Sequence, residues 1–199
     1  MLKKNLNKKD TYDVLIIGGG LAGLTLARQL LLENDKIKLL ILERSSHPAP
    51  EAAFKVGEST VEVGANYLAD RLKLNDYLKS RHLPKAGLRF FFSNGNNLDI
   101  SERTEFGAID FPPAPSYQID RGRFENDLRE MIIAAGADFI NCASVKKVNL
   151  NDNGFHQVDY SYNKNLDHEI KTVKSKWIVD ASGRSAILKR KLNLQSTVE

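Results

Sequence analysis

The sequence predicts an α/β fold that combines a parallel β-sheet with an inserted β-meander. Two patterns predict it. Near the N-terminus, an apolar run, a glycine-rich turn, a helical period and a second apolar run follow one another within about thirty residues, as in a βαβ unit. In the second half, strand-like segments alternate with clusters of turn residues.

The βαβ unit has the strongest pattern. Residues 13–17 form a short apolar, β-branched run that ends in glycines, as a buried parallel strand does. Leu24, Ala27 and Leu31 then recur at helical spacing. The apolar run within residues 38–43 predicts the second strand.

The next hundred residues predict a helix over 60–72, a shorter helix near 76–79 and a strand over 87–92. Residues 93–119 predict short strands at most. A helix follows from Phe124, and Gly136 suits its C-terminal cap. The remaining strands are predicted over 138–141, 144–150, 155–162, 168–173 and 177–180, with a hairpin turn over 151–154.

The composition excludes several classes of protein. Apolar residues make up 42% of the chain and charged residues 27%, which is ordinary for a folded domain and excludes wholesale disorder. One cysteine, Cys142, cannot form an internal disulfide or a cysteine-rich zinc site, so we predict no metal site. No apolar run reaches the roughly 18 residues that cross a bilayer. Without a signal-peptide pattern, we expect a cytoplasmic protein that has no transmembrane segment.

The net charge of +4 comes from one end of the chain. Lys3, Lys4, Lys8 and Lys9 account for it, and without them basic and acidic residues balance at 25 each. We therefore predict a basic flexible tail over residues 1–11 and a folded domain over 12–199. No basic cluster interleaved with aromatic residues is present, so no nucleic-acid partner is expected.

The turn of the βαβ unit carries a dinucleotide-binding pattern, Gly18-x-Gly20-x-x-Gly23. Gly18 permits the tight turn, Gly20 lets a pyrophosphate approach the backbone, and Gly23 lets the helix pack close to the sheet. The N–H groups of Leu21 and Ala22, at the positive end of the helix dipole, would hold the pyrophosphate.

An acidic residue completes this pattern. Glu43 ends the second strand, twenty residues after Gly23, where a carboxylate can accept hydrogen bonds from the ribose hydroxyls of adenosine. It would also repel a 2′-phosphate, which argues against NADP. We include the neighbouring Arg44 in the candidate site. The pattern predicts an ADP-binding half and leaves FAD and NAD as alternatives.

Three further segments carry a family resemblance. They are Lys-Val-Gly-Glu-Ser-Thr at 55–60, the segment 117–124 around Asp-Arg-Gly-Arg, and Trp-Ile-Val-Asp-Ala-Ser-Gly-Arg at 177–184. Together with the glycine motif, residues 12–192 resemble the FAD-binding half of the flavin-dependent halogenases and the geranylgeranyl-reductase-like oxidoreductases, which are relatives of the aromatic-ring flavin monooxygenases. The resemblance implies FAD as the cofactor and a Rossmann-like fold.

The resemblance also implies roles for individual residues. It implies that the following lie near the flavin ring or reach the cofactor: Gly57, Glu58, Ser59 and Arg121. It implies that Val145 contacts adenine through its backbone and that Asp180 and Gly183 lie beside the pyrophosphate. Two alternatives stay open: Arg121 is a solvated residue of a first helical turn, or Asp180 only caps the turn that follows it.

A candidate for the reacting amine follows from the same resemblance. Halogenases carry a lysine after the Gly-Glu-Ser loop and just before a strand, and Lys85 has that placement. Residues 85–119 would then contribute to a substrate-side sheet. The alternative is a surface lysine. The sequence departs from the halogenases over residues 61–64, where they carry a proline. It also lacks their Trp-x-Trp-x-Ile-Pro signature, since Trp177 is the single tryptophan.

We therefore expect an FAD-dependent oxidoreductase, halogenase-like or monooxygenase-like, that uses reduced flavin and oxygen on a small organic substrate. The alternatives are a geranylgeranyl-reductase-like flavoprotein and a non-catalytic FAD-binding chain that needs a partner. Members of the resembled family are longer and return to the cofactor with a Gly-Asp segment. The resemblance therefore implies a C-terminal truncation, with a flavin reductase or the missing C-terminal half as a partner.

Overall fold

The computed structural model describes residues 11–93, 95, 98–107, 109–111, 113–162 and 169–196. The predicted tail, apart from Thr11, lies outside these residues, as does residue 168. The chain divides into two compact units, Met1–Glu51 with Gly122–Glu199, and Ala52–Arg121.

The helices and strands follow the predicted order. The α-helices are α1 (Leu21–Glu33), α2 (Glu62–Asn66), α3 (Asn75–Arg81), α4 (Arg121–Ala134) and α5 (Ile187–Lys191). The strands are β1 (Thr11–Ile17), β2 (Leu39–Leu42), β3 (Leu83–Lys85), β4 (Arg89–Phe92), β5 (Thr104–Gly107), β6 (Ser116–Gln118), β7 (Asp138–Ile140), β8 (Ala143–Asn149), β9 (His156–Tyr162) and β10 (Glu169–Asp180). In the part of the chain described, none of the helices has the length and apolar character needed to cross a membrane.

The first unit contains a six-stranded sheet with the strand order β7-β2-β1-β10-β9-β8. Strands β7, β2, β1 and β10 pair in parallel, whereas β8 and β9 form the antiparallel meander. This arrangement confirms the predicted α/β class with an inserted meander.

The end of the meander differs from the prediction. The strands predicted over 168–173 and 177–180 are one strand, β10, of 12 residues. Its first part pairs antiparallel with β9 and its second part pairs parallel with β1. The polar residues Lys174–Lys176 interrupt the apolar pattern, but backbone pairing does not depend on side-chain polarity. Thr11, predicted as the last tail residue, belongs to β1 because its backbone pairs with Lys174.

Apolar side chains pack on both faces of the parallel strands. Because side chains alternate along a strand, Leu15 and Ile17 lie on one face and Ile16 on the other. The face of Leu15 packs into a cluster that also holds Leu40, Leu42, Val148, Val158, Tyr160 and Val173. Helices α1 and α4 bury Leu24, Ala27, Leu31, Phe124, Leu128 and Ile132.

The second unit has short elements. Helix α2 continues into a π-helical turn over Tyr67–Arg71, so the helix predicted over 60–72 is present with a wider last turn. Strand β3 pairs with β6, and β4 pairs with β5. Residues 85–119, predicted to contribute to a substrate-side sheet, include β4, β5 and β6, and their place on the substrate side stays a prediction.

A buried hydroxyl in β10 gives a stability prediction. Ser175 is fully buried, and its Oγ has no hydrogen-bond partner among the described residues. An unpaired buried polar group costs free energy. We expect Ser175→Ala to raise the free energy of unfolding by about 1 kcal/mol.

Val173, two residues earlier on the same face, provides the matched control. Val173→Ala should lower the free energy of unfolding by about 2 kcal/mol, because it removes buried methyl groups. Urea unfolding measures both variants. Destabilisation by Ser175→Ala of the same size as by Val173→Ala would contradict the prediction.

Candidate functional site

The Gly18-x-Gly20-x-x-Gly23 motif has no space for a side chain at its first and last glycines. Gly18 has φ +112°, and a Cβ atom there would lie 2.3 Å from the carbonyl oxygen of Ala181. A Cβ atom at Gly23 would lie 2.0 Å from the carbonyl oxygen of Gly18. The tight turn and the close helix packing predicted for these two glycines are therefore both present.

Gly20 is different, because a Cβ atom there would meet nothing within 4 Å. Gly20 is the N-terminal cap of the 13-residue helix α1, and no side chain caps that end. The N–H groups of the first helical turn, including those of Leu21 and Ala22, have no partner within an α-helix. Their positive dipole end suits a negatively charged group.

Gly19 is a position that the sequence analysis missed. A Cβ atom there would lie 2.7 Å from the ring of Phe139 and 2.9 Å from the Cβ atom of Glu43. Its N–H group donates a hydrogen bond of 2.6 Å to Oε2 of Glu43. Three consecutive glycines were the available signal, but the neighbours come from β7 and from the end of β2.

The Glu43 carboxylate already accepts backbone hydrogen bonds on both oxygens. Besides the bond from Gly19, its Oε1 accepts a bond of 2.7 Å from the N–H group of Ser45. Its carbonyl oxygen accepts a bond of 2.8 Å from Ala143, at the start of β8. Each carboxylate oxygen has a second lone pair, so the predicted ribose contact is compatible with this geometry and stays a prediction.

Two other predicted residues lie near these strand ends. Arg44 is exposed, and its Nη1 donates a hydrogen bond of 3.4 Å to Oγ of Ser185 in the turn after β10. Val145 lies on β8 at an irregularity where the register with β9 shifts. Its predicted backbone contact with adenine stays a prediction.

The Asp180 carboxylate caps the chain that follows it. Oδ2 accepts a hydrogen bond of 2.7 Å from the N–H group of Leu188 in α5, and Oδ1 accepts bonds from the N–H and hydroxyl groups of Ser182. Burial raises the pKa of Asp180, but these hydrogen bonds outweigh burial, so that pKa lies below its ordinary value. Asp180 therefore caps the turn that follows it, as one of the two alternatives for this residue expects. Gly183 follows with φ +61°, and its Cβ position is open.

In the second unit, the Gly-Glu-Ser segment runs beside β6. The N–H group of Ile119 donates a bond of 2.7 Å to the carbonyl oxygen of Glu58, and Ser59 forms an antiparallel bridge with Gln118. Gly57 begins this segment with φ +89°, a conformation that favours glycine.

Lys85 and Arg121 both contact this segment. The Lys85 Nζ donates a hydrogen bond of 3.0 Å to Oγ of Ser59 and another to the carbonyl oxygen of Thr60. The Arg121 Nη1 donates a bond of 2.8 Å to the carbonyl oxygen of Val56. Both residues are half-buried, and the roles implied for them stay predictions.

Comparisons with known proteins agree with this architecture. The sequence profile of the FAD binding domain family matches residues 11–199. A flavin-dependent halogenase of Dictyostelium discoideum is 33% identical over an alignment of 190 residues, and the match covers 87% of this chain and 32% of that protein. This chain therefore spans about a third of the length of that relative.

Two solved structures have the same fold. The myxobacterial chondrochloren halogenase has a TM-score of 0.66 and 28% identity, covering 87% of this chain and 38% of that chain. A geranylgeranyl bacteriochlorophyll reductase-like protein of Thermoplasma acidophilum has a TM-score of 0.68 and 21% identity, covering 96% of this chain and 44% of that chain. The latter shows similarity of fold alone.

The fold and the glycine loop define a nucleotide-binding α/β unit. The chain belongs to the FAD binding domain family, and FAD is its cofactor. The residues fit this group, because the space beside Gly20 is open and the N-terminus of α1 suits a pyrophosphate.

The Asp180 cap gives a prediction of pH dependence. Asp180→Ala removes the acceptor of the Leu188 and Ser182 N–H groups, and we expect a loss of about 1–2 kcal/mol at neutral pH. Because the pKa of Asp180 lies below its ordinary value of 3.8, its contribution is present above that value and is lost as the pH falls through the folded-state pKa.

The stability difference between the wild type and Asp180→Ala should therefore be constant from pH 7 to about pH 5 and shrink below about pH 4. Urea unfolding over a pH series measures it. A difference that is unchanged at the lowest pH at which the protein folds would contradict this account.

Proposed function

We propose that the chain is the FAD-binding part of a halogenase-like or monooxygenase-like oxidoreductase that uses reduced flavin and oxygen on a small organic substrate. The observation that carries the proposal is the half-buried Lys85 amine, which two hydrogen bonds hold against the Gly-Glu-Ser segment. The similarity to a flavin-dependent halogenase supports the same reaction class.

We assign proposed cofactor contacts within each unit by itself. In the first unit, the pyrophosphate would bind at the N-terminus of α1. The ribose would bind to Glu43, and the adenine would contact the backbone of Val145. The other contacts assigned to this unit are Gly18, Gly20, Leu21, Ala22, Gly23, Arg44, Asp180 and Gly183. In the second unit, the residues assigned to the flavin side are Gly57, Glu58, Ser59 and Arg121. When bound and reduced, FAD supplies the electrons for oxygen activation.

The role of Lys85 follows from its donors. An ammonium group has three N–H donors, and the bonds to Ser59 and Thr60 use two of them. The third can donate to an oxidised halide and orient it toward an organic substrate. Removing the amine should therefore abolish halide transfer and leave binding of FAD unchanged.

A reductase of isoprenoid double bonds, the alternative that the sequence resemblance leaves open, is the second candidate. Halide dependence separates the two reactions. An external flavin reductase as electron source, a C-terminal half as partner and a cytoplasmic location stay predictions from the sequence. A chain that binds FAD without turnover is the third alternative, and it is one outcome of the test.

The test uses the purified protein with FAD, a flavin reductase with NADH, oxygen, bromide and an electron-rich phenol as the probe. We expect a brominated product by mass spectrometry. Lys85→Met should lower its rate by at least about a hundredfold, the typical contribution of a positioned proton donor. Lys79→Met is the matched control, because Lys79 is an exposed lysine on α3.

Equal bromination rates in the two variants would contradict the role of Lys85. Reduction of a prenyl double bond without any effect of bromide would favour the second candidate. Tight binding of FAD without either reaction would favour the non-catalytic alternative.

A further inference from the structure

The Lys85 side chain crosses a neighbouring strand. Lys85 lies on β3, directly opposite Ser116 of β6. Its ammonium nevertheless bonds to Ser59 and Thr60, in the segment that bridges to Gln118. Gln118 already pairs with Leu83 of β3, and a strand has two edges, so residues 58–60 lie along the other edge of β6.

Ser116 occupies the place that the lysine stem must pass. Directly opposite residues of an antiparallel pair share one face, with their Cβ atoms about 4.5–5.5 Å apart. Ser116 is 1% exposed, and its Oγ has no hydrogen-bond partner among the described residues. The hydroxyl group thus contributes no bond that explains a serine here, whereas the small volume leaves room for the stem of Lys85.

The acceptors at the far end of the stem are held in place. Thr60 exchanges three hydrogen bonds of 2.7–2.9 Å with the backbone of Tyr117, which is 2% exposed. The carbonyl oxygen of Thr60 is therefore fixed relative to β6. Ser59 is itself exposed, and its hydroxyl group supplies the second acceptor for Lys85.

We propose that Ser59 and Ser116 are positioning residues for the Lys85 ammonium. Ser59 accepts one of its hydrogen bonds, and the small side chain of Ser116 keeps the path across β6 open. The proposal gives Ser59 a role in placing the amine, in addition to the cofactor contact that the family resemblance implies. It rests on the proposed function only in taking Lys85 as the reacting amine.

The test measures how fast the Lys85 amine reacts with trace acetic anhydride, with site-resolved quantification by peptide mass spectrometry. The amine can attack the anhydride only when it leaves its acceptors and is accessible, and the bonds to Ser59 and Thr60 hold it in place. We expect Ser59→Ala to raise the acetylation rate of Lys85 by about three- to tenfold, which is the net strength of one lost hydrogen bond. Ser59→Thr, which keeps the hydroxyl group, should restore the wild-type rate.

The role of Ser116 is tested by changing the size of its side chain. Ser116→Ala should leave the acetylation rate of Lys85 unchanged, whereas Ser116→Val should displace the stem from its acceptors and raise the rate about as much as Ser59→Ala does. The acetylation rate of Lys79 should stay constant in every variant, which separates displacement of Lys85 from general unfolding. If Ser116→Val also accelerates Lys79, the unfolding temperature reports the loss of fold and the two Ser59 variants decide the proposal.

Equal Lys85 rates in Ser59→Ala, Ser59→Thr and the wild type would overturn the role of Ser59. An unchanged Lys85 rate in a folded Ser116→Val would overturn the role of Ser116. The assay needs no turnover, so failure of the proposed function would appear as absent bromination with the expected acetylation pattern. Failure of the positioning proposal alone would appear as bromination that depends on Lys85 together with acetylation rates that do not change in the Ser59 and Ser116 variants.

Discussion

The first unit depends on three backbone segments that meet with no space for a Cβ atom. The turn after β1 lies against the carbonyl group of Ala181 after β10, and helix α1 lies against the carbonyl group of Gly18. Only glycine allows both approaches, at Gly18 and Gly23. This constraint fixes the start of α1 at the carboxyl end of the parallel strands, where α/β folds bind their ligands.

The Glu43 carboxylate extends this arrangement to the end of β2. It holds the N–H groups of Gly19 and Ser45, while its own backbone accepts the N–H group of Ala143 from the meander. The residue that the sequence marks as a ribose ligand thus also joins the glycine loop to the start of β8. A substitution at Glu43 would therefore remove these backbone contacts together with the proposed ribose contact.

Local sequence patterns predicted many of the helices, strands and turns of this fold. Features that depend on pairing between distant segments were not predicted. The glycine motif, the period of α1 and the turn over 151–154 are short-range signals, and each element is present. The continuity of β10 was missed, because it depends on pairing with β9 at one end and β1 at the other. The roles of Gly19 and Ser116 were invisible for the same reason: their neighbours are distant in sequence.

In the candidate site, too, the sequence indicated candidate residues but not their long-range contacts. Family resemblance selected Lys85 and the Gly-Glu-Ser segment, and the structure brings them into hydrogen-bond contact within the second unit. No pattern in the sequence indicated that the amine reaches its acceptors across β6. Resemblance therefore supplied the candidate residues, whereas tertiary pairing determines how the Lys85 amine is held.

The central claim is that the open space beside Gly20 binds FAD. The most direct test is a titration of FAD into the wild type, Gly20→Val and Gly64→Ala, with binding monitored by flavin fluorescence. The unfolding temperature of each variant is measured as well. Gly64 lies in helix α2, where a Cβ atom would meet only an ordinary contact at 3.9 Å, so it is the matched control. A Cβ atom at Gly20 would meet nothing within 4 Å and would stand in the open space at the N-terminus of α1.

The account predicts that the wild type and Gly64→Ala bind FAD equally. Gly20→Val should bind at least about tenfold more weakly, or about 1.4 kcal/mol, at an unchanged unfolding temperature. Wild-type affinity for FAD in Gly20→Val would contradict the account.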